Sequence, residues 1–85
     1  MTIFLVAYDL DKPKQNYDAV HAKLEELGAE RVLESTWMLK STKSTSQIRD
    51  ILTDTKGLID TNDRVIVVKV ANWHAANLMS DPNKL

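Results

Sequence analysis

The 85-residue chain has room for one domain and one hydrophobic core, and at that size only about 60% of the unfolded surface is buried, so a partner subunit would add stability. Apolar residues at 44% and charged residues at 27% exclude a disordered chain. The absence of cysteine excludes disulfides, thiol catalysis and thiolate metal sites, and a net charge of −1 argues against a general grip on nucleic-acid backbone.

Ile3 to Tyr8 is an apolar run rich in β-formers that ends at Asp9, Asp11 and Pro13, which predicts a strand buried on both faces. No basic segment precedes it, so it is not read as a secretory signal. At six residues, this longest apolar run is far short of the roughly 20 needed to span a membrane. A cytoplasmic protein with no membrane partner is expected.

Tyr17, Val20, Leu24 and Leu27 recur at helical spacing, with Asn16 as the expected N-cap, Asp18 in the first turn and Gly28 as the stop. Ala29 to Leu33 and Thr36 to Lys40 read as two strands joined by a tight connection at Glu34-Ser35. Ser44 and Gln47 have capping-box spacing, and Ile48, Ile51 and Leu52 then mark a second amphipathic helix ending near Gly57. Arg64 to Val70 forms the last strand. Trp73 to Met79 is expected to form a short helix, and Ser80 to Leu85 a frayed tail.

This β-α-β-β-α-β order predicts a ferredoxin-like α+β sandwich in one domain, residues 1–85, with a core over 2–70 and sheet order 4-1-3-2. Two helices cover one face of such a sheet, yet apolar side chains alternate onto both. Ile3, Leu5 and Ala7 oppose Phe4, Val6 and Tyr8; Val65 and Val67 oppose Ile66, Val68 and Val70. A wet apolar face would exceed the ~300–600 Å² of a typical monomer's largest patch. Each side chain fully buried contributes roughly 1.5–3 kcal/mol, so a homodimer through the open sheet face is expected. The alternative cover is the tail from Asn72 to Leu85 folding back over that face.

No nucleotide-binding glycine loop or zinc-binding histidine pair is present. His21 is expected as a half-exposed surface residue on the flank of the first helix, and His74 lies beside Trp73. The acidic constellation carries more chemistry. Asp9 leaves the first strand where Ser35-Thr36 and Asp63-Arg64 enter the third and fourth, so the topology gathers them at one end. Carboxylate, hydroxyl and water oxygens suit Mg²⁺ or Mn²⁺, which could polarise a phosphodiester and activate a water. The plainer reading is that Asp9 caps a turn. Lys12, Lys14 and Arg64 are candidate phosphate contacts; Lys40 and Lys43 lie at the opposite end.

Through Tyr8-Asp9-Leu10, Gln15-Asn16-Tyr17, Glu34-Ser35-Thr36-Trp37 and Asp60-Thr61-Asn62-Asp63-Arg64, the chain resembles the stand-alone SinR-like branch of the CRISPR-associated Cas-two family over roughly residues 2–70. The resemblance implies a ferredoxin-like fold and a symmetric dimer. It also implies divalent-metal-dependent cleavage of RNA or DNA, with Asp9 from both subunits holding Mg²⁺ or Mn²⁺ and Ser35 assisting. Tyr8 would pack rather than react. Two departures, the lack of a fifth strand after Val70 and the acidic balance, argue against a place in the CRISPR adaptation complex. A non-catalytic nucleic-acid- or protein-binding dimer and a toxin-like ribonuclease of the same fold are the alternative functions.

Overall fold

The computed structural model describes residues 1–10, 17–54, 58–59 and 63–85. Strand β1 (Thr2–Asp9) is followed by helix α1 (Tyr17–Glu26), then β2 (Glu30–Leu33), β3 (Thr36–Ser41), helix α2 (Thr45–Asp54) and β4 (Arg64–Lys69). The sheet runs β2-β3-β1-β4 with every pair antiparallel, which is the order expected from sequence and a ferredoxin-like arrangement.

Strand parity divides the side chains as the apolar pattern requires. Phe4, Val6 and Tyr8 point into a core with Val20 and Leu24 of α1, Trp37 and Leu39 of β3, and Ile48 and Leu52 of α2. Leu58 and Ile59 belong to this core at 5% and 6% exposure. They lie past the expected end of the second helix and extend the core into the connection to β4. The proposed stop Gly57 and N-cap Asn16 lie outside the described residues.

Local chemistry sets the other helix ends. Ser44 caps α2 reciprocally: Gln47 N–H donates to Ser44 Oγ at 3.1 Å, and Ser44 N–H donates to Gln47 Oε1 at 2.8 Å. Two otherwise orphaned donors are thereby satisfied. Helix α1 closes in a Schellman motif, with Ala29 N–H on Leu24 O and Gly28 N–H on Glu25 O, both at 3.0 Å. Gly28 takes φ +83°, the left-handed conformation this closure needs.

The β2–β3 hairpin turns at Glu34 and Ser35 without a left-handed residue, and its register shifts between Arg31 and Leu33. A bulge absorbs the mismatch between an ordinary turn and the twist of the strands.

The segment after β4 departs from expectation. Residues 71–81 form no helix, and a 3₁₀ turn follows at Pro82–Lys84, capped by Asp81 accepting from Asn83 N–H at 2.9 Å. Two asparagines oppose the expected helix. Asn72 Oδ1 takes the Trp73 N–H at 2.9 Å, and Asn77 adopts φ 60°. The tail is tethered rather than frayed. Met79 N–H donates to Val32 O at 2.9 Å, Lys40 Nζ donates to Leu85 O at 3.0 Å, and Pro82 is buried.

The return of the tail explains why Val32 and Met38 are buried at 2% and 3% yet stand outside the main core. Met38 alternates with Trp37 and Leu39, so it lies on the face away from the helices. The tail thus shelters the β2–β3 half of that face. The β1–β4 half stays open, with Ile66 58% and Val68 37% exposed.

A Cβ at Gly28 would meet nothing within 4 Å, so the backbone angle is the only obstacle to a larger residue. Gly28→Ala is expected to lower unfolding free energy by about 1–2 kcal/mol in urea titration. Ser44→Ala should cost about 1 kcal/mol by the same measurement, because it unties the α2 cap.

Candidate functional site

Antiparallel pairing of β1 with β4 sets Asp9 directly opposite Arg64 at the rim of the sheet. Asp9 Oδ2 and an Arg64 terminal nitrogen lie 3.6 Å apart, with side chains 76% and 85% exposed. An ion pair this exposed contributes little to stability and exchanges readily with solvent or another charge. Parity puts both residues on the face that also carries Ala7 and Ile66, away from the helices. Ala7, Tyr8, Asp9, Arg64, Val65 and Ile66 line an open cavity of about 280 Å³.

Ser35 arrives from the β2–β3 turn. Its carbonyl accepts the Tyr8 N–H at 3.1 Å, so it sits beside the residue that precedes Asp9. The structure therefore brings Asp9, Ser35 and Arg64 to one end, as the topology predicted. Asp63, next to Arg64, is half-buried and engaged. Lys12 and Lys14 lie outside the described residues, as do Asp11 and most of the Asp60–Asn62 stretch.

Behind the rim is an arrangement that reading residues singly missed. Trp37 Nε1–H donates to Tyr8 Oη at 3.2 Å inside the core. Burial pushes the Tyr8 phenol above its ordinary value, and the Trp37 hydrogen bond only partly opposes this. The phenol therefore stays protonated at neutral pH, and Tyr8 packs into the core. The clue was in the strand pattern: Tyr8 and Trp37 are on the same face, and a buried indole N–H must find an acceptor. His21 is half-exposed on α1, as its flank position predicts, but its ring contacts are not visible in the sequence. Its ring lies against Tyr8, Tyr17 and Trp37, and Nε2 is buried.

Asp9 has the hard oxygen chemistry that Mg²⁺ and Mn²⁺ prefer, and it is open to solvent. Among the described residues, however, no cluster of three or more acidic or histidine side chains could hold a metal ion. A cation at Asp9 would need water and a second source of carboxylate. No helix among the described residues is long and apolar enough to cross a membrane.

Tyr8→Phe should destabilise the fold by on the order of 1–3 kcal/mol, because the buried Trp37 N–H loses its acceptor. A double-mutant cycle with Trp37→Phe, read by urea unfolding, is expected to show the two changes coupled rather than additive.

No solved structure matches the chain. The family comparison matches CRISPR associated protein Cas2 over residues 1–77, which spans every strand and both helices of the sandwich. The paired rim residues sit where that match runs through β1 and β4, and the chain belongs to the CRISPR associated protein Cas2 family.

Proposed function

We propose that the chain acts as a homodimeric, metal-dependent endonuclease that hydrolyses phosphodiester bonds in RNA or DNA through the Asp9 residues of both subunits. The observation that carries this reading is the position of Asp9: solvent-open, at the end of the central strand, and on the uncovered sheet face that bears Ile66 and Val68. Two copies packed through that apolar stripe would bury surface that a monomer leaves wet and would bring the strand ends toward each other. A dimer also answers the shortage of carboxylate in one protomer.

In this arrangement Asp9 would hold Mg²⁺ or Mn²⁺ with the partner copy's carboxylate, and the ion would supply an activated water and charge neutralisation at the phosphate. Arg64 pairs with Asp9 until substrate arrives, then turns its guanidinium to the phosphate oxygens, a ligand geometry it matches well. The weakness of the exposed Asp9–Arg64 pair suits that exchange. Ser35 supports the site by its carbonyl bond to Tyr8, which anchors the strand end one residue before the carboxylate. Lys12 and Lys14 follow Asp9 closely in sequence and are suited to phosphate contact.

A non-catalytic nucleic-acid- or protein-binding dimer is the second reading, favoured by the lack of a metal-binding cluster among one protomer's described residues.

Cleavage of labelled single-stranded RNA and duplex DNA with Mg²⁺, Mn²⁺ or EDTA separates the two. Asp9→Asn should reduce metal-dependent cleavage by at least about 100-fold, the upper range seen when a residue merely supporting a metal ligand is lost. Full cleavage by Asp9→Asn, or in EDTA, would remove the assignment; no cleavage by folded wild-type dimer would leave the binding module. Sedimentation velocity tests the dimer: Ile66→Lys is expected to shift the species to monomer without unfolding it.

A further inference from the structure

His21 occupies an unusual setting for a residue on a helix flank. Its ring centroid is 5.4 Å from Trp37, 6.2 Å from Tyr17 and 6.3 Å from Tyr8. Nε2 is buried with no hydrogen-bond partner. Such an atom is tolerable on a neutral imidazole, where it need only accept. On an imidazolium it must carry a proton, and a buried donor without an acceptor is costly.

A cavity of about 420 Å³ adjoins the ring, lined by His21 and Glu25 of α1, Glu30 and Arg31 of β2, Trp37 of β3 and Ser80 of the tail. Glu25 and Glu30 are both exposed, so the outer part of this space is wet, with two acidic residues and Arg31 on its walls. The half-exposed ring therefore lies between an aromatic side, where Nε2 is buried, and a hydrated side bordered by Glu25, Glu30 and Arg31.

We propose that His21 is a two-position acid switch: neutral, it packs inward on Tyr8, Tyr17 and Trp37; protonated, it turns out into the adjoining cavity toward Glu25 and Glu30, loosening α1 from the sheet. This inference does not depend on the nuclease reading.

The charges around the ring set the direction of the effect. Burial and then the Arg31 guanidinium hold the inward imidazole below its ordinary value, against smaller opposing pulls from Asp18 and Glu25. Tyr8, from β1, is a phenol whose burial pushes it further above its ordinary value, so it brings no charge to the ring. The unfolded chain therefore takes up a proton at about pH 6.5 while the inward state does not. Stability from the inward seat is complete above that value and is lost progressively as pH falls below it. Cation–π attraction from three rings would act the other way and hold the imidazolium in place. The missing acceptor at Nε2 decides against it, because Arg31 borders the cavity as well and does not separate the two positions.

The experiment is a pH titration of the full-length chain between about pH 7.5 and 5.5, bracketing the ordinary imidazole value. Trp73→Phe leaves Trp37 as the one indole reporter, and His74→Gln leaves His21 as the one imidazole. Three results are expected. The His21 imidazole NMR signal titrates below 6.5, Trp37 fluorescence changes with the same midpoint, and melting temperature falls on acidification. His21→Gln should remove the fluorescence transition and at least halve the drop in melting temperature. Titration of His21 at or above 6.5, or a Trp37 signal indifferent to it, would overturn the proposal. The NMR titration needs no substitution at His21, so it decides even if His21→Gln folds poorly.

Discussion

Two-sided pairing of β1 is the constraint on which the rest depends. With β3 on one flank and β4 on the other, each residue of β1 has its face and its neighbours assigned at once. Even-numbered residues enter the helical core, and odd-numbered ones reach the open face. A slip of one residue would exchange Phe4, Val6 and Tyr8 for Ile3, Leu5 and Ala7 and turn Asp9 inward. The register that buries the core is therefore the same register that presents the rim carboxylate to solvent beside Arg64. Packing and site are a single choice made along one strand.

Much of this was legible because the deciding chemistry is local. Capping by Ser44 and Gln47 needs only residues three apart, and closure at Gly28 needs only a residue that tolerates a positive φ. Strand parity is equally short-ranged, and it led to the sheet order and to the gathering of Asp9, Ser35 and Arg64. What stayed hidden depends on partners distant in sequence. The tail was misread as a helix and a loose end because its anchors lie on β2 and β3, at Val32 and Lys40. No periodicity in residues 71–85 announces such contacts. The ring contacts of His21 are hidden for a related reason: its neighbours on α1 indicate only a half-exposed flank, while Trp37 and Tyr8 come from two other elements.

The two ends of the aromatic cluster serve different purposes. At Tyr8 and Trp37 every buried polar atom of the pair is engaged, which fixes the strand end just behind the rim. At His21 one buried polar atom is left over. Satisfied groups make a core rigid, and an unsatisfied one is a place where protonation can change the balance. A small domain with little stability to spare feels such a balance strongly.

The tethered tail has a consequence for handling and turnover. Val32 and Met38 are sheltered on the second sheet face only while residues 71–85 remain seated there. The main core cluster draws no residue from that segment. Loss of that segment after Val70 would therefore add Val32 and Met38 to the apolar surface already open at Ile66 and Val68. Such a clipped species would be sticky, prone to sheet-to-sheet aggregation and poorly selective among partners.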